Sequence, residues 1–190
     1  MRSVPRLLLA ASAAALVGTA AAARAEPDAP PGESADVLRP RLGAALGGAF
    51  GLAPRGPASN PDTAVALNPT LQLDLGLQIS PRAGVYFHGE IGTIFLASQA
   101  AAYVVGEWSP VGWLSFGTGV GWDGMADWCG DCSSAAPRWS AVSIPLLVGI
   151  DVWRRDHHAL RVGFEWAGGD EPSTGTLGWH TALTFGWALK

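Results

Sequence analysis

The chain has 190 residues, yet it contains one lysine (Lys190), two cysteines, two tyrosines and only 15% charged residues. A soluble domain carries roughly 25% charge, so a disordered polyelectrolyte is excluded. Twelve basic residues against sixteen acidic ones leave no basic stripe, which excludes nucleic acid as a partner. Two cysteines cannot staple a disulfide scaffold. The 25 glycines follow neither a collagen period nor a phosphate-cradling loop. After residue 25 no window shows a 3.6-residue apolar period, and Gly and Pro interrupt throughout, so helices are excluded.

Residues 1–25 read as a signal peptide. Arg2 and Arg6 form the charged start, an Ala-rich apolar run follows, and Ala23-Arg24-Ala25 fits a small-x-small cleavage site. The run is too Ala-rich and short for a permanent span, which needs about 20 apolar residues. Removal of Arg2, Arg6 and Arg24 leaves nine basic against sixteen acidic residues, net −7. Residues 26–40 carry four prolines and no apolar period, and read as a flexible periplasmic leader before a domain at 41–190.

From Arg41 the period becomes two. Leu67, Leu71, Leu73, Leu75, Leu77 and Ile79 alternate with Asn68, Thr70, Gln72, Asp74, Gly76 and Gln78. Seven more segments do the same, starting near Leu42, Val85, Ala101, Leu114, Val142, Leu160 and Leu177. In the segment 101–108, Glu107 puts Tyr103 and Val105 on the polar side, although the opposite phase also fits. Short links fall at 80–82, 109–112 and 154–157, and long ones at 53–64, 123–140 and 167–176; the link at 97–100 is short and breaks the trend.

A soluble sandwich also alternates, with its apolar face inward. Here the polar face is small and poor in charge, unlike a water-facing surface. The apolar face carries rings near strand ends: Phe50, Phe95, Trp122, Trp166 and Trp179 toward the long links, and Trp108, Trp113, Trp153 and Trp187 toward the short ones. Two aromatic girdles are what a bilayer interface selects. A spanning sheet must close, because an open edge leaves backbone groups unpaired in hydrocarbon. These features predict an all-β, closed, eight-stranded antiparallel transmembrane β-barrel with short periplasmic turns and longer extracellular loops. Its lumen is filled by side chains. The expected inner polar network is Arg41, Asp74, His88, Glu90, Asp151, Arg161, Glu165 and His180, with room made by inner glycines for Tyr86 and, by strict alternation, Trp113.

This architecture resembles the eight-stranded bacterial outer-membrane barrels of the OmpA-like or OmpX-like class, over about Arg41 to Lys190. The last strand alternates Phe185, Trp187 and Leu189, with Lys190 in the final place where such barrels carry an aromatic. The resemblance implies an outer-membrane location, contact with outer-membrane lipid, and the barrel-assembly machinery as a partner during biogenesis.

Trp128-Cys129-Gly130-Asp131-Cys132 looks like a thioredoxin-type motif, but no strand–helix context surrounds it and Pro137 follows. Cys129 and Cys132 read instead as a small disulfide in an exported loop. Asp123, Asp127 and Asp131 recur in that loop and read as a solvated acidic segment, with no metal site assigned. His157-His158 reads as a solvated turn. His180 lies mid-strand and inward; Ser143, Thr184 or Glu165 would be its partners in a lipid-modifying enzyme. The expected function is a non-enzymatic structural or surface-interaction barrel without cofactor, open to an extracellular ligand through its long loops. A lipid-modifying enzyme and a secreted soluble β-barrel or sandwich are the alternatives.

Overall fold

The computed structural model describes residues 38–55, 62–94, 97–127, 138–172 and 175–190. The signal peptide, most of the leader, Phe95, Cys129 and Cys132 lie outside the described residues. Eight strands follow one another in the chain: β1 Arg39–Arg55, β2 Asp62–Ser80, β3 Ala83–Ile94, β4 Ala97–Val111, β5 Leu114–Asp127, β6 Arg138–Arg155, β7 His158–Glu171 and β8 Thr176–Leu189. Each pairs antiparallel with the next, and β1 also pairs with β8, from Leu42↔Leu189 to Leu52↔Trp179, closing the barrel.

The faces follow the alternation. Leu73, Leu75 and Leu183 are 52%, 63% and 61% exposed on the outer wall, while Arg41, His88, Glu90, Glu165 and His180 are buried inside. In β4, Tyr103, Val105 and Glu107 point inward, which fixes the phase that the sequence leaves open. Strand and hydrophobic exposure are thus inverted relative to a soluble protein, in which contiguous apolar patches of this extent are rare. A small apolar cluster of Tyr86, Ala101, Tyr103, Val105 and Ala167, with Leu147 against it, packs within the lumen.

Three features differ from the sequence reading. The strands run past their apolar faces: β1 and β2 stay paired out to Arg55↔Asp62, and β4 and β5 to Ala97↔Asp127. The segments linking strands therefore shrink to 56–61, 128–137 and 172–175 at one end, with 95–96 there too. Backbone pairing needs no apolar alternation, so hairpin arms continue where the pattern stops. Second, Asp123 belongs to β5 and is fully buried, not looped out. Third, Trp113 sits in the two-residue turn Gly112–Trp113 and is 55% exposed, so it belongs with the outer rings and not in the lumen.

The rings mark both ends of the wall. Trp108, Trp113, Trp153 and Trp187 are exposed toward the short turns, and Phe50, Trp122 and Trp166 toward the other end. Trp179 is half-buried, its ring tilted 5.8 Å from that of Phe50. Several indole N–H groups are satisfied locally: Trp122 Nε1 donates to Ser140 Oγ at 2.5 Å and Trp187 Nε1 to His158 Nδ1 at 3.2 Å.

Glycine sets how closely the wall packs. A Cβ on Gly76 would lie 2.2 Å from the Val85 carbonyl oxygen and 2.4 Å from Tyr86 Cα, so this glycine is what lets the Tyr86 ring turn inward beside β2. A Cβ on Gly48 would meet only the Asn68 carbonyl oxygen, at 3.9 Å. Gly76→Val is expected to lower the stability of the folded barrel by about 1–3 kcal/mol through overpacking, whereas Gly48→Ala should stay within about 0.5 kcal/mol. Urea unfolding followed by tryptophan fluorescence measures both; equal effects would contradict the packing.

Candidate functional site

The inward side chains fall into two layers. Nearer the short turns, Arg41 of β1 forms a two-bonded pair with Glu107 of β4, NH1 to Oε1 at 2.5 Å and NH2 to Oε2 at 2.6 Å. Arg161 of β7 donates to the same Glu107 Oε2 at 3.0 Å and to Asp151 Oδ1 of β6 at 2.8 Å. Lys190 Nζ reaches Asp151 Oδ2 at 2.9 Å. Five strands or strand ends are tied through Glu107 and Asp151. The planar guanidinium of Arg41 also lies 4.0 Å over the Tyr86 ring, a cation–π contact that covers its remaining face.

The second layer is built differently. His88 Nδ1 of β3 lies 2.6 Å from Asp74 Oδ1, and its Nε2 lies 3.1 Å from Glu165 Oε2, with the carboxylate oxygens as acceptors. His180 of β8 repeats the arrangement: Nδ1 lies 2.6 Å from Asp123 Oδ2, and Nε2 lies 3.5 Å from Glu165 Oε1 and 3.9 Å from Glu90 Oε1. Gln72 Nε2 donates to Glu90 Oε2 at 2.6 Å and Glu165 Oε2 at 2.8 Å. Gln99 Nε2 donates to Glu90 Oε1 at 3.3 Å. The rings of Tyr86 and Tyr103 flank His88, at 6.5 Å edge-on and 6.1 Å stacked respectively.

The register explains why these residues meet. Asp74 lies opposite His88 across β2–β3, and Gln72 opposite Glu90. His180 and Glu165 come from β8 and β7, and Asp123 from β5, on other sides of the barrel. A closed sheet of eight strands is narrow enough for such groups to touch across the axis. Deep in this interior, polar atoms must find one another, since each unpaired one carries a desolvation cost.

All eight expected lumenal residues point into these two layers: Arg41, Asp151 and Arg161 in the first, and Asp74, His88, Glu90, Glu165 and His180 in the second. Glu107, Asp123 and Gln72 complete them. Glu107 is the lone charge of β4 on the polar phase, and Asp123 continues the Gly117, Gly119, Gly121 phase of β5; both signals were present in the sequence. Of the three partners considered for His180, Glu165 faces it. Thr184 Oγ1 donates to the Gly163 carbonyl at 3.5 Å, and Ser143 Oγ has no hydrogen-bond partner among the described residues. His180 is buried.

No protein-family profile matches the sequence, and no curated protein matches it. Solved structures match its fold. The Neisserial surface protein A (NspA) superposes with a TM-score of 0.58 at 10% identity, covering 82% of this chain and 99% of that one. The outer membrane protein AlkL, determined in DMPC lipid bilayers, superposes at 0.51 with 12% identity, covering 86% and 96%. The chain has the closed eight-stranded fold of outer-membrane β-barrels.

Glu107→Ala would strip Arg41 of its carboxylate and leave Arg161 with Asp151 alone. The expected loss is about 3–5 kcal/mol, the usual consequence of breaking a buried pair from one side. Arg154 is largely exposed beside Asp151 at 3.7 Å, and Arg154→Ala should cost no more than about 1 kcal/mol. Urea midpoints of the two variants test the ranking.

Proposed function

We propose that this chain is an integral outer-membrane protein, exported through residues 1–25, that works as a structural and surface-interaction barrel and not as a diffusion pore or an enzyme. The observation that carries this reading is the inverted wall: leucines, valines and phenylalanines outside between two belts of tryptophan, and a paired ionic network inside. Transmembrane strands need about 9–11 residues, and the eight strands here have 12 to 19. The likeness to AlkL, an outer membrane protein in lipid bilayers, supports the location, and the likeness to NspA, a surface protein, supports the surface role.

The filled lumen supports a plugged barrel. Arg41, Glu107 and Arg161 bridge its cross-section near the short turns, and the Gln72, Glu90, Glu165 and histidine layer bridges it again. Recognition of an extracellular ligand then falls to the segments at 56–61, 128–137 and 172–175, the second of which contains Cys129 and Cys132 as a disulfide of the oxidising envelope. Outer-membrane lipid and the barrel-assembly machinery are the expected partners.

Fractionation tests the location: the protein should stay with the membrane through high salt and carbonate and leave only in detergent. Release by carbonate would favour a soluble protein. Leu73→Arg, on the outer wall at mid-strand, should cost about 2–4 kcal/mol in lipid vesicles. Wild-type urea stability of that variant in vesicles would contradict a lipid-facing wall.

A further inference from the structure

Two buried imidazoles and four carboxylates share the second lumenal layer. We propose that this layer is a binding site for one divalent transition-metal ion of the zinc class, ligated by His88, Glu90 and Glu165, with His180 at its edge. The inference concerns the interior of the barrel and does not depend on where the protein resides.

Geometry comes first. One ligating atom from each of His88, Glu90 and Glu165 lies within 4.8 Å of the others, and all three side chains are buried. A tetrahedral ion with ligands at about 2.0–2.2 Å spaces them about 3.3–3.6 Å apart. His88 Nε2 to Glu165 Oε2 is 3.1 Å, and His180 Nε2 lies 3.5 Å from Glu165 Oε1 and 3.9 Å from Glu90 Oε1. Small side-chain adjustments would bring these atoms around one centre.

The orientation of the rings comes second. Asp74 holds Nδ1 of His88 and Asp123 holds Nδ1 of His180, both at 2.6 Å. An Nδ1–H donated to a carboxylate leaves the Nε2 lone pair free, and this carboxylate–imidazole pairing is how metal-binding histidines are held and made more basic. Here it occurs twice, from opposite sides, with both Nε2 atoms turned toward the same glutamate.

Unsatisfied atoms come third. His180 Nε2 and Glu165 Oε1, both buried, face each other at 3.5 Å as an ion-pair contact that falls short of a hydrogen bond among the described residues. A buried contact that falls short of a hydrogen bond leaves both atoms able to take a further partner. A cation between them would satisfy both. The charge balance agrees: Arg41, Arg161 and Lys190 bond to Glu107 and Asp151 in the other layer, whereas among the described residues the hydrogen-bond and ion-pair partners of Asp74, Glu90, Asp123 and Glu165 are imidazoles and amides, with the Tyr103 phenol beside Asp123. Mixed imidazole and carboxylate donors suit zinc, cobalt or manganese better than calcium, which prefers six to eight oxygens. Gln72, bonded to both glutamates, would hold them together around the ion.

The competing account is a proton-balanced network in which both imidazoles are charged and no metal enters. Refolding separates the two. The untagged full chain is unfolded, stripped with a chelator, refolded into detergent with zinc chloride or with EDTA, and gel-filtered before metal analysis. Heat-shifted mobility on gels reports which samples have folded. The expected result is about one zinc retained per folded chain, as for a closed protein site, and a higher urea midpoint than the EDTA-folded sample. Folded Glu90→Gln should lose the zinc, and Asp123→Asn should weaken it about 10–100-fold. The double variant His157→Ala/His158→Ala, at the exposed turn, should keep it. Refolding with cobalt gives wild type an intense visible spectrum of nitrogen-containing low coordination, a readout that needs no variant to fold. Wild type without retained zinc or a cobalt spectrum overturns the site. So does zinc that survives Glu90→Gln, or that leaves with His157 and His158.

Discussion

A closed sheet of eight strands has an interior one side chain deep, and every inward polar group must find its partner among the other inward groups. That constraint governs the molecule. Outside, it frees the wall to be apolar throughout, because no hydrophobic core is needed within. Inside, it makes each charge answerable to a residue on another strand. Glu107 accepts from Arg41 across to β1 and from Arg161 across to β7, so its position fixes the distance between three walls. The small residues are part of the same constraint. Without glycine at position 76, the Tyr86 ring that covers Arg41 could not lie where it does.

The inner charges are not mixed at random. The guanidinium and ammonium groups gather near the short turns with Glu107 and Asp151, and the imidazoles gather in the second layer with the other four acids. The first layer resembles a rivet: two short bonds join Arg41 to Glu107, and Arg161 bridges Glu107 to Asp151. In the second, His180 Nε2 and Glu165 Oε1 meet at 3.5 Å, an ion-pair contact that falls short of a hydrogen bond. A scaffold needing only strength could have repeated the first layer. Tyr86, edge-on, and Tyr103, stacked, flank His88 in that second layer.

Much of this was legible in the residues. Period two identifies each strand and its face, because a residue's side of the sheet depends only on parity. All eight expected lumenal groups therefore turned inward, and Glu107 set the phase of its strand correctly. What parity cannot supply is height and partner. Asp74 meets His88 through a neighbouring register, which is local. Asp123 meets His180 from a strand several places around the barrel, which follows only from the tilt and stagger of closure. The same limit explains the strand ends. The loss of alternation around Asp123 reads as a loop, yet backbone pairing carries the hairpin onward to Ala97↔Asp127.

Trp113 shows the opposite error. Parity alone would send it into the lumen, but a two-residue turn at Gly112–Trp113 resets the phase between β4 and β5, and the ring emerges on the wall. Its exposure joins it to Trp108 and Trp153 at the same end. Parity is a property of uninterrupted strands, and the residues that adjoin a turn obey the geometry of the turn. The polar interior is better protected from such errors than the rim, because a charge turned outward would leave its lumenal partners unpaired, while an indole at the rim is tolerated on either count. The cost of misplacement is therefore highest where the pattern is clearest, and that is why the lumenal set could be read with fewer corrections than the ends of the strands.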